Sequence, residues 1–419
     1  MDAVSQIPLN EMPVLNSFAE IDEVLRSPAF AQGMHQGRIS HAFLGDTLLA
    51  LNGERHFERR RMENALFRRD LRATYELDVF RPLLLSRIDA LLDNPEHVAR
   101  IDLMIFVRTL LQAITAKMIG FDIADNGALE RLREFAEVLS EAGTVEWSTD
   151  DHDAIIRRGL MAKNEFVEEF YKPARDRRLS LLRDVHAGLV PESALPSDLI
   201  TMLLQHHQSH GLDEEVVIKE TLLYMIASSG TITQTCAHTF WQMFEWFETH
   251  PADLALNQDG EFLRRLTNET LRLYSPTVFL VRRAVADSTL STGRLVKKGE
   301  YLYMDLEVAN RDPLIFGDHS NDFDPHRTLR DRSRPFGLSF GGGAHMCIGR
   351  SLASGGLYGA TDDTEPSGVI ALVLAELLAV NVALDQANAP QLREKTVRHE
   401  FATFPVVIRR RVMQEASSA

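Results

Sequence analysis

Cys347 lies in the run FGGGAHMCIG, residues 340–349, where glycines at 341, 342, 343 and 349 let backbone come close to the sulfur. Backbone N–H groups in such a loop can point at a thiolate, tune its potential and hold it as a metal ligand, with Phe340 packed beside it. Taken alone, the string also describes a glycine-rich turn around an inert cysteine, since a free thiol behaves as a small hydrophobe. Cys236 is the only other cysteine. Two thiols are too few for a disulfide scaffold, a Cys-rich zinc site or an iron–sulfur cluster, and they fit a reducing, cytoplasmic setting.

Three further spacings can carry chemistry. His56 and Arg60 stand four apart in NGERHFERR, residues 52–60, so one helical face presents both, either to a single anionic group or to solvent. Glu269 and Arg272 stand three apart on a short helical pattern over residues 261–274 that Ser275-Pro276 ends. On an exposed surface such a pair contributes little. Ala227-Ser228-Ser229-Gly230-Thr231 falls inside a long helical pattern, residues 213–246, where the Thr231 hydroxyl can relay a proton or bond back to its own helix.

In this order along the chain, the segments resemble the cytochrome P450 family. Phe340, Gly343, Cys347 and Gly349 fill every position of its FxxGxxxCxG signature. The resemblance implies haem b, with Cys347 as the axial iron ligand whose electron donation favours O–O cleavage, and His345 as a propionate partner. Glu269 and Arg272 look like the family's ExxR pair, which locks the cysteine loop; Pro276 and Arg282 follow as in the family, implying a propionate contact for Arg282. His56 and Arg60 are similar to its HxxxR propionate pair. Residues 227–231 match its oxygen-pocket segment, [AG]-G-x-[DE]-T, only in part, implying a catalytic pocket of Ala227, Gly230 and Thr231. Ser228 replaces the glycine and Gly230 stands where the family has an acid, so the usual proton carrier is missing. Three routes remain: ordered water in the space beside Gly230, a hydroxyl on the substrate, or peroxide used in place of dioxygen.

The elements that must position these groups are mostly helical. With 419 residues, 45% of them hydrophobic, and no linker-like composition change, the chain is expected to form a single domain over residues 1–419. The expected fold is mainly α with minor β, implied by the resemblance to be a helical bundle with small sheets enclosing a haem. Residues 101–121 form an almost wholly apolar helical pattern. Within the long pattern, LLYMIASSGTITQT is rich in small and β-branched residues and predicts strain in a straight helix. Residues 277–286 and 294–307 look like strands, with a turn at Lys298-Gly299. Residues 354–368 interrupt the helix expected after the cysteine and are taken as an inserted loop, with helix resuming at Val369.

Met225, Ile226, Thr277, Val278, Phe279 and Leu280 are expected to line a substrate pocket that residues 37–51 and 154–172 complete. An apolar lining favours a hydrophobic small molecule such as a fatty acid, terpenoid, steroid or polyketide, although the same side chains suit a core. A net charge of −15 argues against nucleic acid. Two basic clusters, Arg55, Arg59, Arg60 and Arg61, and then Arg327, Arg330, Arg332, Arg334 and Arg350, are either solvated faces or a docking patch for an acidic protein. No stretch predicts a membrane span or signal peptide, and a monomer is expected.

By resemblance the chain inserts one oxygen atom from dioxygen into a C–H or C=C bond. No flavin or nicotinamide domain is left over, which implies electrons from a separate ferredoxin and ferredoxin reductase. A peroxide-dependent peroxygenase or a rearranging haem-thiolate enzyme is the chief alternative, prompted by Gly230; a haem-binding sensor or carrier is the alternative outside enzymology.

Overall fold

The stretch after Asp213 forms one helix of 36 residues, Glu214–Thr249, in the computed structural model, which describes residues 8–35, 37–207, 210–329, 334–356 and 366–410. Asp213 caps it by accepting the Val216 N–H. The expected strain does not materialise, and the helix is continuous through residues 222–235. Thr231, Thr233 and Thr235 each donate their hydroxyl to the carbonyl four residues back, at 2.9, 2.7 and 2.9 Å, so their own helix satisfies the side chains that composition marked as breakers.

Helices packed against it include Leu103–Ile119, Asn126–Gly143, Gly260–Leu273 and Val369–Ala379. Residues 101 and 102, expected in the first of these, instead end the strand Val98–Asp102. Asp102 caps the helix by accepting the Met104 N–H at 2.9 Å and also accepts the Phe404 N–H, tying the helix start to the C-terminal strand Pro405–Arg409. A continuous apolar cluster from Phe43 to Ile408 fills the space between the helices.

His238 on the long helix is buried, stacks on Tyr274 at 4.9 Å, and lies 2.6 Å through Nε2 from the His399 carbonyl. Burial lowers its pKa to about 4; its hydrogen bond to that carbonyl opposes the shift and the nearby His399 ring adds to it. The unfolded chain therefore binds a proton near pH 6.5 that the folded chain refuses. Stability from this site is complete above about pH 6.5 and falls as pH drops toward 4, by roughly 3 kcal/mol over the window. Urea midpoints of the native protein and His238→Gln at pH 7.5 and 4.5 check this. The native protein should lose more stability on acidification than the variant, and parallel losses would refute it.

Among the described residues four small sheets flank the helices. In the largest, Phe279–Ala284 pairs antiparallel with both Phe30–Gln32 and Tyr301–Asp305, and Val14–Leu15 pairs parallel with the latter; Arg282 stands opposite Gln32 and Leu302. The expected turn at Lys298-Gly299 is present, with Gly299 at φ +89°. Among the described residues no helix is long and apolar enough to cross a membrane.

After the cysteine, a short helix, Arg350–Ser354, stops and Val369–Ala379 resumes, as expected. Residues 357–365 of the interruption lie outside the described residues. Its described ends are pressed together: a Cβ on Gly355 would fall 2.4 Å from the Ser367 carbonyl oxygen. Buried Glu76 fastens this neck, accepting the Ser367 N–H at 2.9 Å and the Gly368 N–H at 3.1 Å.

Candidate functional site

The loop bearing Cys347 is closed by its own backbone, Cys347 N–H donating to the Phe340 carbonyl at 2.9 Å. Gly343, at φ +61°, is where it rests on the helix Phe18–Arg26; a Cβ there would fall 2.1 Å from the Leu25 carbonyl oxygen. Phe340 packs edge-on against Phe336, ring centroids 4.9 Å apart. The N–H groups of Gly349 and Arg350 point at the sulfur. Cys347 is exposed by area, yet protein atoms crowd the sulfur from its other sides. That desolvation pushes the thiol pKa up; the Gly349 N–H and the guanidinium groups of Arg60 and Arg350 pull the other way. Cys236, by contrast, is sealed in the core, where burial alone raises its pKa.

The ExxR pair anchors this loop from below. Arg272 is fully buried and donates to both Glu269 oxygens, at 2.8 and 2.6 Å, and to the carbonyls of Asn310, Ser320 and Asp322. Asn310 passes the constraint on: its Oδ1 accepts the Leu338 N–H at 2.7 Å and its Nδ2 donates to Ser339, at the root of the cysteine loop. Sequence reasoning did not single out Asn310, and it placed Arg327 only in a basic cluster; the Arg327 Nε donates to Glu269 at 3.0 Å.

Two histidines and two arginines from three segments converge beside the loop. His56, on the helix Gly53–Glu63, faces His345 with ring centroids 3.9 Å apart. Arg60 follows one turn along the helix, close enough to Cys347 for each to shift the other's pKa. Arg282 is buried, its Nη1 held by Gln32 Oε1 at 2.6 Å and the Val281 carbonyl at 3.1 Å. Burial, reinforced by Arg60 and Arg282, lowers His56 to about 4. His345 is lowered to about 3 by burial together with Arg282, His56 and Arg60. Burial brings Arg282 down to about 10. None of the four has an ion-pair partner among the described residues. Two guanidinium groups without a carboxylate, beside two imidazoles that can donate hydrogen bonds, call for anions from outside the chain. Next to a framed thiol, this donor set fits a haem, with Cys347 for the iron and the two arginines and two histidines for its two propionates.

On the long helix, Ala227 is exposed between buried Ile226 and half-buried Ser228, and Gly230 and Thr231 are half-buried. A Cβ on Gly230 would meet nothing within 4 Å. Thr231 spends its hydroxyl on the Ala227 carbonyl at 2.9 Å. Ser228 hydrogen-bonds Thr115 at 2.7 Å and shares a small cavity with Leu352, five residues past the cysteine, so this helix lies across from the cysteine segment. Met225 is wholly buried and, at about 100° per residue, lies roughly 200° round the helix from Ala227, in the core. Ile226 packs toward Gly143, and Leu280 reaches Gly341 of the cysteine loop. Val278 and Phe279 are buried with Trp147 in a separate apolar cluster, and Thr277 is half-buried.

The arginine clusters sort differently from the expectation. Arg59 is buried, 2.6 Å from Glu220 on the long helix, and Glu63 accepts the Tyr224 hydroxyl at 2.9 Å beside it. Burial raises the pKa of both Glu63 and Glu220. This interior group was not foreseen. Arg327 is tied to Glu269, and buried Arg334 to Asp22 at 2.6 Å, so neither serves a docking face. Arg55 and Arg61 are exposed, Arg350 is half-buried, and Arg330 and Arg332 lie outside the described residues.

The thiol loop, the arginines and histidines beside it and the helix across from it form a set of groups that fits a haem-thiolate site. A family model for cytochrome P450 matches residues 253–356, the span holding Glu269, Arg272, Arg282 and Cys347. Cyclooctat-9-en-7-ol 5-monooxygenase of Streptomyces melanosporofaciens is 26% identical over 342 residues, covering 74% of this chain and 69% of that protein. The biotin biosynthesis cytochrome P450 of Bacillus subtilis is 26% identical over 276 residues, covering 65% of this chain and 62% of that one. The solved structure of P450BioI with hexadec-9Z-enoic acid ligated acyl carrier protein superposes with a TM-score of 0.69 at 21% identity, covering 94% of this chain and 92% of that one. Residues 253–356 thus match the cytochrome P450 family, and the relatives and solved structures that the chain resembles are cytochrome P450 proteins.

Proposed function

We propose that this chain is a haem b monooxygenase that oxidises a largely apolar small molecule, by hydroxylation or epoxidation, using electrons from a ferredoxin and its reductase. The carrying observation is the framed Cys347 sulfur beside two arginines and two histidines without ion-pair partners among the described residues. When bound, the haem supplies reductive activation of dioxygen and transfer of one oxygen atom to substrate. Cys347 would hold the iron, and the Gly349 and Arg350 N–H groups would stabilise its negative charge. His56, Arg60, Arg282 and His345 orient the propionates. Ala227 and Gly230 leave accessible backbone on this helix, and Thr231 could release its hydroxyl from the Ala227 carbonyl to hold or pass on a proton there. Exposed Arg55 and Arg61 suit an acidic electron donor, and the protein acts as a cytoplasmic monomer.

No carboxylate stands before Thr231, which motivates a second reading, use of peroxide instead of dioxygen and reductant. Equal product rates with hydrogen peroxide alone and with the reductase system would favour that reading. Gly230→Asp tests the first reading at the same place. The open space at Gly230 accepts the new side chain, so the variant should fold normally and raise the fraction of reductant recovered as product, with less peroxide released. Unchanged rate and unchanged coupling would mean that acid delivery was never limiting.

A further inference from the structure

A second polar group lies within otherwise apolar walls, about 10 Å along the sheet from Arg282 at roughly 3.3 Å per residue. The strand that ends at Gln32, the partner of Arg282, runs on to His35; the strand bearing Arg282 begins three residues earlier at Phe279. The two meet around Trp147, whose ring lies 5.6 Å from Phe279 and 6.5 Å from His35.

Here the hydrogen bonds do not close. Ser40 is fully buried and donates its single hydroxyl proton to Glu146 Oε1 at 2.5 Å. Its 2.9 Å contact with His35 Nδ1 must then be accepted from Nδ1–H. Burial keeps the His35 ring neutral, so its Nε2 is a bare acceptor. Glu146 Oε2 is buried with no partner among the described residues, and so is Trp147 Nε1, on a side chain 91% buried. Arg398 lies over the Trp147 ring but is paired with Glu400 at 2.9 Å. Buried polar atoms left unpaired cost about 1–3 kcal/mol each, which a ligand can remove by pairing them.

We infer that His35, Glu146 and Trp147 form a substrate subsite that takes a neutral group able both to donate and to accept a hydrogen bond, an alcohol or an amide, at the end of an apolar molecule remote from the iron. Trp147 Nε1–H donates to its oxygen; Glu146 Oε2 or His35 Nε2 accepts its proton. A carboxylate is disfavoured there because it brings no donor to two acceptors. The inference rests on the proposed oxidation of an apolar small molecule and specifies that substrate.

The test uses haem-loaded full-length protein and four twelve-carbon probes: dodecan-1-ol, dodecanamide, dodecane and dodecanoate. Affinity is read twice, from the ferric spin-state shift and from thermal stabilisation, the second needing no iron signal. The alcohol and the amide should bind about tenfold or more tightly than the alkane and the carboxylate, on the scale of one unpaired buried polar group. Glu146→Gln, which preserves volume, and Trp147→Phe should each remove most of that preference, with unaltered carbon-monoxide spectra. Equal binding of dodecane or dodecanoate, no binding of either polar probe, or a preference that survives both substitutions overturns the subsite. An absent thiolate spectrum in the native protein overturns the haem reading instead, and the thermal ranking still judges the subsite.

Discussion

Arg272→Leu is expected to yield no stable folded protein. The guanidinium is fully buried, lies 4.9 Å from the centre of the Phe316 ring, and makes five hydrogen bonds, two to Glu269 and three to backbone carbonyls. Leucine would leave Glu269 with only Arg327 and the Asp324 N–H, and the three carbonyls without this donor. Breaking a buried pair costs about 3–5 kcal/mol, and abandoned carbonyls add to it. That is a large share of the roughly 5–15 kcal/mol that holds a domain folded. Arg272→Lys should fail nearly as badly, since one ammonium cannot span the carboxylate and the carbonyls together. Expression yield and thermal unfolding check both variants; a melting temperature within a few degrees of native for Arg272→Leu would contradict the role drawn from its contacts.

Cys347→Ala should do the reverse, abolishing reductase-driven turnover while leaving the fold intact. The side chain is exposed, and the loop is held by groups other than the sulfur: the Cys347 N–H, Gly343 against Leu25, and Asn310 at Leu338. Stability should therefore change by less than about 1 kcal/mol in the absence of cofactor, as for a surface substitution. Turnover depends on the thiolate itself, so none should be detectable in the presence of reductant, dioxygen and electron donors. Substantial turnover by a folded Cys347→Ala protein would remove the thiolate from the chemistry.

What the sequence disclosed here follows the reach of its spacings. A four-residue interval puts His56 and Arg60 on one helical face, a three-residue interval joins Glu269 to Arg272, and the glycines around Cys347 act within a single loop; each is a local relation that survives folding. The helical character, the strands around Arg282 and the break after Ser354 were legible for the same reason. Long-range pairing was not. Arg59 and Arg60 are adjacent in one basic run, yet the first is buried against Glu220, 161 residues away, because it turns inward from the same helix. Glu146 meets Ser40 across 106 residues, with no local pattern to announce it. The long helix was expected to strain because its threonines were weighed by propensity, whereas their hydroxyls are absorbed by the preceding turn. Met225 was grouped with the pocket by nearness in sequence to Ala227, although helical rotation sends it to the core.

The most direct measurement is the carbon-monoxide difference spectrum of the reduced, haem-loaded native protein. A sulfur anion opposite the gas gives a strongly red-shifted Soret band, and that band is the expected result, absent from Cys347→Ala. A band at the shorter wavelength typical of nitrogen-ligated haem in the native protein, or an unchanged spectrum after Cys347→Ala, would contradict ligation by this cysteine.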